Sequence, residues 1–302
     1  MQIGVATRKW SLLWGIVSFL ILWPSTLTAT NPNSLNGKKI LTIATMKLQP
    51  LLGQDKGLFN DIVRAAFATQ GTKVSFTLYP MTRVPWSISK AKHCIALGSI
   101  LWFDDKARSE LNSIEIYNIS AHFFYLKSRF PLGLEAQSSA KFPQYRIGTI
   151  RGGVLEKTIK HKGLDANLQL VNHMKQNVQK VVLNRLDMFA SPLLAGLTDI
   201  QKFFPERADE FTYSKERLFL RPADIVFTKQ CHQEFIQFQK GFAKLQHSGH
   251  YKKIIQAYFL GRAVPDYVYA PLTINDTLNP QNALYYTSLE DSPNLDRKKE
   301  LE

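Results

Sequence analysis

The sequence predicts an α/β protein in which parallel sheets are joined by helical crossovers, and three observations carry that expectation. Across Gly71 the apolar period changes from helical, with Leu58, Ile62, Ala65 and Ala66 on one face, to alternating, with Val74, Phe76 and Leu78 between Ser75 and Thr77. Strand-like runs at 39–45, 74–79, 95–98, 122–127, 145–150, 167–171, 187–190 and 224–228 are separated mostly by segments of helical pattern. Towards the end, Phe235, Phe238, Phe242 and Leu245 recur on one face of a helix over 232–246, and a second helix from Tyr251 towards Phe259 follows the break at Ser248 and Gly249. Such a stripe is core packing, not a cofactor box.

At the amino end Arg8 and Lys9 precede an apolar run from Trp10 to Trp23, followed by Pro24 and by small or hydroxylated residues up to Ala29. The run is about 14 residues, short of the roughly 20 that a spanning helix needs. Residues 1–29 therefore read as a cleavable signal peptide, with an uncleaved anchor as the alternative, and the chain is expected to be exported. No cysteine precedes Cys94, which excludes a lipid anchor at that cleavage point. About 270 residues then remain, enough for one large domain or two modest lobes, and the alternation fits two lobes better. The segment 128–144 is loop-like, and the tail beyond Gly261, with Pro265, Pro271, Pro280, Pro293 and a charged end, reads as poorly ordered.

The chain carries 38 basic and 24 acidic residues, a formal charge of +14. Loss of Arg8 and Lys9 with the leader would leave +12. That balance favours anionic partners, whether small ligands, headgroups or polyanions. Nucleic acid is not expected: the basic residues form no dense run and no repeat with aromatics. Catalysis also finds little support, since there is no G-x-S-x-G elbow, HExxH pair or phosphate loop, and Asp104 and Asp105 are adjacent without an evident partner acid at cleft spacing.

Several motifs together carry a resemblance. A first strand (KILTIAT), a G-x-F-x-D-I-V helix at 57–63, a second strand and a P-x-x-R segment at 80–83 are followed much later by FAKLQHSGHYKKIIQAYF, a lysine-rich helix, a Ser-Gly turn and a short closing helix. From Lys39 to Gly261 this order resembles the bacterial family 3 extracellular solute-binding proteins, the periplasmic receptors of polar amino-acid transporters. The resemblance implies two doubly wound α/β lobes joined by two strands. Lobe 1 would hold 36–124 plus 224–262, lobe 2 would hold 125–223, and 263–302 would be the loose tail. It implies a monomeric, non-enzymatic receptor without a cofactor that closes on a small solute and meets a membrane permease. A sensor partner, a receptor-like fold without ligand and a cleft enzyme remain the alternatives.

In such folds ligands bind beyond the carboxyl ends of the strands, so the residues following each strand are the candidates. Arg83 offers a planar fork to a carboxylate and Trp86 a cover for an apolar face, although Arg83 as the surface charge that opens a helix is equally open. Ser99 and Arg108 are the nearest equivalents of the family's Thr/Ser and carboxylate-gripping Arg, and Trp102 is available to line the pocket. For Arg108 the alternative is a helix-surface ion pair with Asp104. In the stretch GTIRGGVLEK, Thr149, Arg151, Gly152 and Gly153 stand between a strand and a helix, where glycines let backbone N–H groups approach an anion; an ordinary tight connection is the alternative. Two features depart from the family. Met46 to Pro50 lacks the usual aromatic, and Ser191-Pro192 stands where an acid would pair with a ligand ammonium; Asp187 reads instead as support for the start of a strand. With arginines present and that acid absent, a carboxylate-bearing solute is favoured over a cationic one. Cys94 and Cys231 fall in the same expected lobe, and a disulfide between them is open beside a reading as buried small side chains. A metal site would need His93 and His232 to converge with them, and none is expected.

Overall fold

The computed structural model describes residues 40–134 and 144–271. The expected signal peptide at 1–29 lies outside the described residues, as do 30–39, 135–143 and 272–302. Among the described residues nine strands form one sheet: β1 (Leu41–Thr45), β2 (Val74–Leu78), β3 (Ile95–Gly98), β4 (Leu111–Leu126), β5 (Ile147–Ile150), β6 (Leu168–Val171), β7 (Met188–Pro192), β8 (Phe211–Tyr213) and β9 (Phe219–Thr228). Their order is β2-β1-β3-β9-β4-β7-β5-β6, with β8 paired to β4. Helices α1 (Leu58–Ala68), α2 (Arg83–Ser89) and the short α3 (Asp105–Arg108) follow β1, β2 and β3. Then α4 (Val154–His161), α5 (Met174–Val182) and α6 (Leu193–Phe203) follow β5, β6 and β7, while α7 (His232–His247) and α8 (His250–Tyr258) close the main body. The expected α/β class and its parallel pairs, β1 with β2 and β3, β5 with β6 and β7, are present.

The two halves hang on β4 and β9, which pair antiparallel from Leu111↔Thr228 to Ala121↔Phe219. The sheet is therefore continuous through these two strands. β4 is sixteen residues long, whereas only its end at 122–127 is legible as a strand. Asn112, Ser113, Glu115, Asn118 and Ser120 break its apolar pattern, and the ladder to β9 supplies the order that side-chain alternation does not. β9 likewise begins five residues before the expected 224, because Pro222, which lacks a ladder N–H, conceals it. β8, at three residues, is too short to show a period.

On β4, Ala121, Phe123 and Tyr125 enter one apolar cluster with Ile147, Leu155, Ile159 and Met188. Phe124 enters a larger one that contains Ile43, Phe67, Phe227, Phe238 and Phe242 and reaches Phe189 and Leu197. A strand buried on both faces reads as a continuous apolar run, which explains why the stretch from His122 is recognisable and the polar beginning of β4 is not.

The tail beyond Gly261 needs correction in its first part. Residues 262–271 pack against the body, with a short 3-10 turn at Asp266–Val268, Val268 fully buried and Ala270 nearly so. The prolines set turns there, and the apolar residues between them find a surface to cover.

Candidate functional site

The register places the strand ends. β3 runs antiparallel to β9, β9 to β4, and β4 to β7. The carboxyl ends of β1–β3 and of β5–β7 therefore both point at the middle of β4. Gly98 at the end of β3 is level with Asp224, which is level with Glu115; Pro192 at the end of β7 is level with Ala121. The two edges stand about 20 Å apart along β4, at roughly 3.3 Å per residue.

On the first edge Arg83 opens α2 and is exposed, and Trp86 on the same helix is 39% exposed with Lys92 Nζ 4.5 Å from its ring centroid. Ser99 caps the 3-10 turn that follows β3, its Oγ accepting from Leu101 N at 3.3 Å. Trp102 lies directly over Gly98: a Cβ there would stand 2.1 Å from Cζ3 of the indole. Only glycine lets the ring settle on the end of the strand.

Arg108 is not brought to this edge. α3 carries the chain back towards the start of β4, and Ala107 lines a groove of about 330 Å³ with His93, Thr228 and Gln230 at the opposite end of the sheet. The Arg108 guanidinium pairs with Asp105, one turn away. Asp104, the ion-pair partner expected from spacing, instead caps α3 by accepting from Ala107 N at 2.8 Å. A four-residue helix one turn from a cap leaves the nearer acid as the partner.

On the second edge Thr149 is buried in β5, Arg151 is exposed, and Gly152 takes φ +71°, a left-handed conformation that suits glycine. Gly153 is the N-cap of α4. The Gly152 N–H, offered to an anion in the sequence reading, donates to Glu156 Oε2 at 2.7 Å, and Lys160 Nζ holds Oε1 at 2.7 Å. Those hydrogen bonds, from Lys160 first and then from Gly152, hold the Glu156 carboxyl below its ordinary value. The loop thus carries its own carboxylate.

Sequence reasoning missed Glu115 and Asp224. Asp224 is fully buried; its Oδ2 accepts from Ile100 N at 2.9 Å, while Oδ1 has no hydrogen-bond partner. Burial raises it to about 6, against hydrogen bonds from Ile100 and Ser99. Glu115 is pushed to about 7 by burial and then by the charge of Asp224, with the hydrogen bond from Asn118 Nδ2 at 2.7 Å opposing. The signal was available: Asp224 is a lone charge inside the apolar run ADIVF.

Asp187, at the outer end of the second half, accepts from Arg146 N at 2.7 Å and pairs with Arg146 and Arg129 at 2.9 and 2.7 Å. It ties the starts of β5 and β7 together. Cys94 and Cys231 form a disulfide with Cα atoms 5.8 Å apart, joining the start of β3 to the turn before α7. His93 bonds Tyr79 Oη at 3.1 Å and His232 stacks on Phe235, and among the described residues no group of three or more His, Cys, Asp or Glu could hold a metal ion. Among those residues no helix is long and apolar enough to cross a membrane.

No protein-family model matches the chain, and no curated protein matches it in sequence. Solved structures do. The unliganded, open L-cystine solute receptor of Neisseria gonorrhoeae is 15% identical, with a TM-score of 0.55 over 79% of this chain and 96% of that one. The fold is that of the periplasmic binding proteins. An arginine-specific periplasmic binding protein of Salmonella typhimurium, 14% identical, matches with a TM-score of 0.51 over 73% of this chain and 99% of its own. A histidine kinase sensor domain described as similar to periplasmic binding proteins, 15% identical, gives 0.53 over 77% and 98%. The periplasmic-binding-protein fold is two-lobed, as the resemblance to family 3 receptors implied.

Proposed function

We propose that this protein is an exported, monomeric receptor that captures a small polar, carboxylate-bearing, amino-acid-like solute between two lobes and delivers it to the permease of an ABC transporter. The observation that carries this reading is the convergence of both sets of carboxyl strand ends on the middle of β4. The lobes are 36–124 with 224–262, and 125–223, and closure bends β4 and β9 between them. Arg83, Trp86, Ser99 and Trp102 serve one wall, Thr149, Arg151, Gly152 and Gly153 the other. Arg83 and Arg151 take carboxylates, and the partly exposed Glu115 supplies the acid for an ammonium group that Ser191 cannot. The fold's neighbours are binding proteins, which supports binding without catalysis, and the leader at 1–29 supports a periplasmic location.

A panel of L-amino acids and dicarboxylates, scored by thermal shift on refolded, ligand-stripped protein, tests the reading. A carboxylate-bearing hit accompanied by compaction in small-angle scattering is expected. A hit restricted to uncharged solutes, or binding without compaction, overturns it.

A second reading, in which the same closure signals to a membrane kinase or cyclase, is favoured by the likeness to the kinase sensor domain. A permease encoded beside this protein supports transport, whereas a kinase or cyclase there supports sensing.

A further inference from the structure

We infer that residues 262–271 form a strap that holds the two halves of the sheet in their resting orientation, and that movement of one half against the other requires its release. After α8 the chain turns back across the middle of β4 and is fastened at both sides. Towards the second half, the Arg262 guanidinium stands 4.0 Å from Asp209, just before β8. Tyr267 Oη lies 3.1 Å from His122 Nε2, and the other nitrogen of this fully buried ring, Nδ1, lies 2.7 Å from the Ser214 carbonyl. Arg217, in the link from β8 to β9, covers the Tyr267 ring at 4.6 Å. Towards the first half, Ala270 N donates to Tyr251 Oη at 2.8 Å, and that hydroxyl donates to the Ile116 carbonyl at 3.0 Å. Gln246 Nε2 donates to the Pro271 carbonyl at 2.8 Å.

Between these fastenings Val268 is fully buried and the Tyr269 carbonyl accepts from Asn118 at 3.4 Å, beside the strand that must bend. β4 and β9 by themselves join the halves through one two-stranded ladder, which twists and bends readily. A third crossing fixed to both halves and plugged by a buried side chain removes that freedom. Hinge motion needs a few residues free to change φ and ψ, and the strap covers those of β4.

The test uses the ligand-free protein, so its failure leaves the receptor reading intact. Spin labels at Lys90→Cys and Lys162→Cys, with Cys94 and Cys231 joined, report the distance between the halves by electron–electron double resonance. The wild-type chain is expected to give a single narrow distribution. Arg262→Ala with Tyr267→Ala removes the ion pair to Asp209, the hydrogen bond to His122 and the ring that Arg217 covers, while Val268 and the ties to the first half stay, and the distribution is expected at least to double in width. A chain ended after Gly261 should broaden it further; if that chain does not fold, the double variant decides. An unchanged, narrow distribution in the double variant overturns the proposal and reduces the segment to ordinary surface packing.

Discussion

Glu115 on β4 and Asp224 on β9 stand opposite one another in the antiparallel ladder, two carboxylates in direct register at the place where the sheet passes from one half to the other. Neither has a basic partner among its hydrogen bonds, and burial is the main cause of both displaced titrations, to about 7 and about 6.

The consequence is a stability that falls as pH rises. Both groups are raised above their ordinary values of 4.5 and 3.8, so between those values and about 7 and 6 the folded protein binds more protons than the unfolded chain. Their contribution is fully present below the ordinary carboxylate range and is lost as pH climbs through the folded values. Urea denaturation across this window should show a loss on the order of 3 kcal/mol per group. Asp224→Asn should flatten the profile and stabilise the protein at neutral pH. A wild-type stability that is level or increasing over the same window would show that the pair is not buried as described.

Asp187 acts in the opposite sense. Burial by itself would raise its carboxyl, but hydrogen bonds from Arg146 and the charge of Arg129 outweigh it and hold the group below its ordinary 3.8. Its contribution is present above that value and is lost as pH falls through the lower folded one. Asp187→Ala should cost about 1–2 kcal/mol, because the Arg146 N–H and two partly solvent-screened arginines lose their acceptor. An effect near zero in chemical denaturation would reduce the network to a surface ion pair.

At the second edge, Glu156 competes for the Gly152 N–H that an anionic solute would use. For the solute found by thermal shift, Glu156→Ala should strengthen binding by about 1 kcal/mol in titration calorimetry. Arg83→Ala and Arg151→Ala should each weaken it, whereas Arg108→Ala, at the other end of the sheet, should leave it unchanged. Weaker binding by the Glu156 variant would mean that this carboxylate touches the solute.

Gly98→Ala puts a Cβ into the Trp102 ring. The indole must move, at a cost of about 1–3 kcal/mol. Its displacement should change tryptophan emission and, if Trp102 lines the cleft, solute affinity; unaltered emission and stability would contradict the close packing.

The disulfide predicts no free thiol under denaturing, non-reducing conditions. Cys94→Ser with Cys231→Ser should lower stability by about 3 kcal/mol, and two titratable thiols in the native protein would exclude the bridge.

Much of the fold was legible because its signals are local. The period change across Gly71, the apolar runs of β1, β3, β5 and β6, and the phenylalanine face of α7 need no distant partner to be recognised. The polar half of β4 and the Pro222 region of β9 gave no such signal, since each is a strand only by virtue of the other. The candidate residues divide in the same way: Ser99, Trp102, Thr149 and Arg151 stand after strands, where their position along the chain puts them, while spacing does not say which way the short α3 turns the chain at Arg108.

The sequence by itself determined the alternation of strands and helices, the resemblance to solute receptors, and the residues at each strand end, because hydrophobic period and turn chemistry act over a few neighbours. Only the tertiary structure decided that Cys94 meets Cys231, that Glu115 faces Asp224, that Glu156 fills its own glycine loop, and that the segment after Gly261 returns to His122. Apart from the local Gly152–Glu156 bond, these contacts join residues far apart along the chain. They arise from the register of the long β4–β9 ladder and the packing around it, which no local pattern encodes.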